Sequence, residues 1–129
     1  LSIPRTDCTA YRVAQPTDQQ LWAASGWYAH HLFLCNDGRH MVRMGNWPRG
    51  SGPNDKDLAI ALYKDGDLLS RYATVDIVDQ PYGVSEDHYI YWDRNRPYGI
   101  EVVRGQELFS FYSPDGRMHS FSLENGARR

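Results

Sequence analysis

Apolar and polar residues alternate with a period of two along much of this chain, and the alternating runs end at turn signals. Leu58, Ile60 and Leu62 share one parity, and Phe109 and Phe111 alternate with Leu108, Ser110 and Tyr112. That period is the signature of strands with distinct faces. Asn36-Asp37-Gly38, Asp65-Gly66 and Pro114-Asp115-Gly116 each lie between two such runs. Gly supplies the positive φ of a tight turn and Asn or Asp tolerates it, so each signal predicts a hairpin. The hairpins join 27–35 to 39–44, 58–63 to 68–73, and 107–112 to 117–123.

In the first hairpin, Tyr28, His30, Leu32 and Leu34 fall on one face. Trp27, Ala29, His31, Phe33 and Cys35 fall on the other, and two partly apolar faces predict a central position in the sheet. Residues 88–92 and 100–104 predict a fourth strand pair, turning around Asn95-Arg96-Pro97. Helical signal is slight: Thr17-Asp18-Gln19-Gln20 predicts a short capped turn into 21–24, and 74–78 predicts another. The expected architecture is all-β over 1–129 as a single domain, its antiparallel hairpins forming a sandwich or a small propeller-like arrangement.

Composition narrows the class. A formal charge of -2 disfavours a broad electrostatic grip on nucleic acid, and no run approaches a membrane span. Nine Tyr and four Trp suit a β-rich fold or an aromatic contact patch. Cys8 and Cys35 are the only cysteines, and the chain opens at Leu1. Together these predict a mature exported domain closed by a Cys8–Cys35 disulfide, worth roughly 3–4 kcal/mol for a loop of this length.

No convergent catalytic set emerges, so the chain reads as a binding protein rather than an enzyme. His30 and His31 are adjacent and point to opposite faces of a strand, so they do not chelate one metal together. A Cys35 nucleophile based on His31 or His40 is removed by the expected disulfide. Gly50-Ser51-Gly52 lacks the following lysine of a phosphate loop. Asp55, Asp57, Asp65 and Asp67 bracket a hairpin and read as turn and loop chemistry, with no closing Glu of a calcium loop. No metal, cofactor or catalytic residue is expected.

Two loops carry the candidate contacts. Residues 46–57 hold Trp47-Pro48-Arg49-Gly50-Ser51-Gly52-Pro53, and 80–87 hold Pro81-Tyr82-Gly83-Val84-Ser85-Glu86-Asp87. Each combines an aromatic, a Gly and a Ser, which suits an adaptable contact surface.

The run His31-Leu32-Phe33-Leu34-Cys35-Asn36-Asp37-Gly38-Arg39-His40-Met41-Val42-Arg43, with Trp47-Pro48-Arg49-Gly50, resembles small exported bacterial β proteins. Among them it looks most like the periplasmic immunity proteins that protect against type VI secreted cell-wall amidases. The resemblance implies a periplasmic heterodimer with a secreted peptidoglycan amidase effector, whose active site a surface loop occludes. It implies contact residues Tyr82, Gly83, Ser85, Glu86 and His88 on one loop and Trp47 and Ser51 on the other. A carbohydrate- or peptidoglycan-binding β domain, using exposed aromatics as stacking platforms, is the alternative.

Overall fold

The structure, a computed structural model, describes residues 7–12, 19–25, 31–35, 37–45, 48, 50, 52–85 and 88–129; for 7–12, 19–25 and 83–85 it describes the backbone alone. It is mostly β, with two larger antiparallel sheets and two two-stranded ribbons. The strands are β1 (Asp7–Arg12), β2 (Gln19–Ser25), β3 (His31–Leu34), β4 (His40–Met44), β5 (Leu58–Lys64) and β6 (Asp67–Ala73). They continue as β7 (Tyr82–Ser85), β8 (His88–Ile90), β9 (Gly99–Val103), β10 (Gln106–Tyr112) and β11 (Met118–Ser122). The first larger sheet has the order β3-β4-β5-β6 and the second β11-β10-β9.

All three Gly-turn hairpins form. Gly38, Gly66 and Gly116 have positive φ, and Asp65 joins Gly66 there at φ 52°. Positive φ at two successive residues matches the right-handed twist of the flanking strands. The tips of the first two hairpins are tied together: Arg39 donates from Nε and Nη2 to the two Asp65 oxygens at 3.0 and 2.8 Å. The pair is exposed, so it orients the tips more than it stabilises them.

Register turns the alternation into a core. Phe33 lies opposite Val42, Val42 opposite Leu62, and Met44 opposite Ile60, which puts all five on one face of the four-stranded sheet. In the other sheet Phe109 lies opposite Phe121 and Phe111 opposite His119. These two faces share one apolar cluster, which also takes in Ile77, Val78, Tyr91 and Trp92. Phe33 reaches Phe109 with ring centroids 4.8 Å apart, and Tyr72 reaches Phe121 at the same separation. Near β6, Ser70 Oγ and the Tyr72 hydroxyl both donate to the Gly126 carbonyl, at 2.6 and 2.9 Å. The segment after β11 is thereby bonded to the first sheet.

Several expectations are corrected. Residues 88–92 and 100–104 do not pair with each other: β8 pairs with β7, and β9 pairs with β10. The missed turn is Arg104-Gly105, where Arg104 holds φ 52° at a position usually read from Asn or Asp. Gln19–Ser25 is a strand paired with β1, not a helical turn. Sheet pairing overrides a weak cap signal there, whereas a 3-10 turn does form at Thr74–Asp76. β3 is an edge strand among the named strands, its outer face showing Leu34 55% exposed.

The expected Cys8–Cys35 disulfide finds no support. Cys35 is a free thiol, 4% exposed and part of the apolar cluster. Burial and the neighbouring Glu107 carboxylate push its pKa up to about 12, the behaviour of a packed, un-ionised thiol. The Cys8 side chain lies outside the described residues.

Candidate functional site

Two segments that are well separated in sequence meet at one place. Asn54 and Asp57 belong to the first candidate loop, Thr74 opens the 3-10 turn, and Tyr89 is the middle residue of β8. Asn54 Oδ1 accepts the backbone N–H of Lys56 and of Asp57, both at 2.8 Å, which folds the loop onto itself as an Asx turn. Its Nδ2 donates to Asp57 Oδ2 at 2.8 Å. The same oxygen accepts from the Tyr89 hydroxyl at 2.7 Å, and Thr74 Oγ1 lies 2.7 Å from that hydroxyl. Tyr89 gives its proton to Asp57, and the single Thr74 hydroxyl proton is shared between the Tyr89 oxygen and the Asn54 carbonyl, 3.2 Å away.

The backbone reinforces this network. Thr74 N–H donates to the Asp57 carbonyl, Val75 N–H to that of Asn54, and Tyr89 N–H to that of Pro48. Tyr89 and Thr74 are fully buried, and burial raises the tyrosine pKa to about 12. The network is half-buried at Asn54 and Asp57 and fully buried at Thr74 and Tyr89, so a rearrangement at its inner end leaves buried groups unpaired.

The second candidate loop adjoins the first. A Cβ built on Gly52 would stand 3.5 Å from the Pro81 ring, immediately before β7. Tyr82 is half-buried, packs against the apolar cluster and accepts a hydrogen bond from Gln80 Nε2 at 2.8 Å. Gly83 lies on β7, and Ser85 stands opposite half-buried His88 across the ribbon. Tyr82, Gly83, Ser85 and His88 are therefore gathered on one hairpin. Glu86, Trp47 and Ser51 lie outside the described residues, but the segments carrying Pro48 and Gly52 are bonded to or packed beside that hairpin. The sequence reading missed the supporting set Asn54, Asp57, Thr74 and Tyr89. The Asn54-to-Asp57 spacing is a local Asx signal; Thr74 and Tyr89 join only through the fold.

A second polar chain has the composition of a hydrolase triad but the wrong polarity. His119 Nε2 lies 2.9 Å from Ser113 Oγ, and Ser113 donates to Asp115. Arg128 Nη2, which can only donate, lies 2.8 Å from His119 Nδ1. His119 must therefore carry its proton on Nε2 and donate it to Ser113, the reverse of a base that takes a serine proton. Ser113 is fully buried as well, so the chain pins Arg128 to the third hairpin rather than presenting a nucleophile.

These groups set a pH profile. Burial and the Arg128 charge lower the His119 pKa from 6.5. Below that value the unfolded chain takes up a proton that the folded one refuses, so stability falls with acidification. The Cys35 pKa is raised from 9.0, so above that value the unfolded chain releases a proton that the folded one keeps, and stability falls again. The melting temperature should plateau between these limits. His119→Gln should flatten the acid limb in a thermal scan across pH, with Asp115 supplying a further loss only below its ordinary range, since the Ser113 hydroxyl lowers its pKa. An acid limb unchanged by His119→Gln would assign it to other groups.

Among the described residues no three His, Cys, Asp or Glu side chains gather as a metal site, and no helix is long and apolar enough to cross a membrane. Fold and site together define an antiparallel β protein that presents two adjoining loops braced by a part-buried polar network. No protein-family model, curated protein or solved structure matches the chain.

Proposed function

We propose that this protein is a periplasmic immunity protein that binds a secreted peptidoglycan amidase and occludes its active site with a surface loop. The two larger sheets act as a sandwich-like support, and the β7–β8 hairpin with the adjoining 48–57 segment forms the contact surface. One observation carries this reading: the two loops with the strongest contact composition adjoin each other, braced by Asn54, Asp57, Thr74 and Tyr89. A loop held in place before encounter loses little conformational entropy on binding, which is how a small protein inhibits tightly. Gly83 permits close approach of the hairpin backbone to a cleft, and Tyr82 and His88 flank it.

The test is a titration against a peptidoglycan amidase effector from the same genome, following binding and hydrolysis together. The expected result is Kd of about 1 nM, typical of tight interfaces of standard size, with stoichiometric loss of hydrolysis. Ser85→Trp, or deletion of 83–86, should weaken binding by about a hundredfold, the size of a hot-spot loss, while the thermal melt stays cooperative. Absence of binding to such effectors would overturn the proposal. Unchanged affinity in the Ser85 variants would move the contact to the 48–57 loop.

A further inference from the structure

The outward face of the three-stranded sheet carries a trough that the loop-binding surface does not use. Phe109, Phe111 and Phe121 point into the core, so Ser110, Tyr112, Met118 and Ser120 point out. Ser110 stands opposite Gly99 on one side and Ser120 on the other. Two small residues paired across β9 and β10 leave a recess there, roughly 5 Å across at ordinary strand spacing. Over Gly99 the space is open: a Cβ built there meets nothing within 4 Å. The resulting cavity has a volume of about 290 Å³.

Its walls differ in chemistry. Tyr98, Tyr112 and Met118 line it, Tyr98 and Met118 both exposed. Tyr98 is held edge-on by Trp92 and Phe33, with centroids 4.9 and 5.9 Å away, so its ring is positioned rather than free to collapse. The polar lining is Glu101 and Ser110, with Ser110 Oγ 3.5 Å from Glu101 Oε1 and 2.8 Å from Ser120 Oγ. Arg96 already lies over the Tyr112 ring at 5.4 Å, so a cationic ligand stacked on that tyrosine would meet a fixed positive charge.

We infer that this trough binds a single sugar ring of a neutral saccharide. A pyranose has an apolar C–H face and a hydroxylated edge, matching tyrosine rings beside a carboxylate and a serine hydroxyl. The cavity is at the small end of ligand pockets, the size for one ring rather than an extended chain. An open site of this kind binds weakly, because one carboxylate and one serine hydroxyl supply most of its polar contacts. This site is independent of the proposed amidase contact, and its test needs no effector.

The experiment is an amide chemical-shift titration of the intact protein with glucose, galactose, N-acetylglucosamine and, separately, butylammonium. A sugar should shift Gly99, Glu101, Ser110 and Ser120 together, saturably in the millimolar range. Glu101→Gln, an exposed position, should weaken binding about tenfold, the scale of one hydrogen bond to a charged group. Ser110→Leu, which fills the floor of the cavity, should abolish it with the remaining spectrum conserved. Shifts with butylammonium alone would make the trough a receptor for a lysine side chain and overturn the inference. So would the absence of shifts with every sugar, or sugar shifts confined to other surfaces. If Ser110→Leu fails to fold, the Glu101→Gln titration decides alone.

Discussion

Gly45→Ala should abolish cooperative folding. A Cβ at Gly45 would overlap the Leu58 carbonyl oxygen and stand 2.9 Å from its carbon, and both are backbone atoms at the start of β5. A flexible side chain could swing away; a strand cannot. Gly45 is buried, and its N–H donates to the Ala59 carbonyl at 3.1 Å. The Tyr91 hydroxyl lies 3.2 Å from the Gly45 carbonyl and 2.6 Å from that of Ala59. Making room would separate β4 from β5 and break these bonds in the middle of the apolar cluster. The cost should exceed about 4 kcal/mol, a large share of the 5–15 kcal/mol that typically holds a domain folded. Gly52→Ala is the control, since its Cβ would make ordinary contacts of 3.5–3.7 Å with Pro81. Urea denaturation followed by circular dichroism compares them. A Gly45→Ala protein as stable as Gly52→Ala would show that the β4–β5 junction yields easily.

The second large effect falls on the brace beneath the two loops. Asp57→Ala removes the acceptor shared by the Tyr89 hydroxyl and Asn54 Nδ2. Tyr89 is fully buried, so its hydroxyl would lose its carboxylate acceptor and be left with Thr74 Oγ1 alone. Loss of hydrogen bonds to a charged group should cost about 2–3 kcal/mol and lower Tm by roughly 10 °C. Tyr89→Phe removes the other end of the same bond, so the double variant should be less destabilised than the two single changes added together. Binding supplies an independent readout. With Asp57→Ala folded at low temperature, affinity for the proposed amidase partner should fall at least tenfold, because the loop must then be ordered on encounter. Wild-type affinity in that variant would mean that the brace stabilises the fold without preparing the contact surface.

Much of the local structure was legible because it is local. Asp37-Gly38, Asp65-Gly66 and Asp115-Gly116 occupy turns whose backbone angles those residues tolerate, and strands on either side must then pair. The inward parity of Ile60 and Leu62, and of Phe109 and Phe111, follows from a side-chain period of two. Where the residue type was ambiguous, the reading failed. Arg104 gives no turn signal although it adopts a left-handed φ, so β9 was matched to the wrong partner. Cys35 shows the same ambiguity: a cysteine count cannot distinguish a bridge from a packed thiol, which depends on what lies around the sulfur.

The candidate surface divides along the same line. Loop composition pointed to Tyr82, Gly83, Ser85 and His88, which share one ribbon because they are close in the chain. That the 48–57 segment adjoins them was not readable, since it depends on Tyr89 reaching Pro48 and Asp57 across dozens of residues. The trough likewise exists only because β9 and β10 set Gly99 opposite Ser110, two small residues with no signal in sequence. The chain by itself determined the β class, the three Gly-turn hairpins and the parity of the core, because turn angles and strand alternation act between near neighbours. Tertiary structure alone decided the non-local pairings, the state of Cys35, the meeting of the two loops and the trough, because each arises from register and burial among residues far apart in the chain.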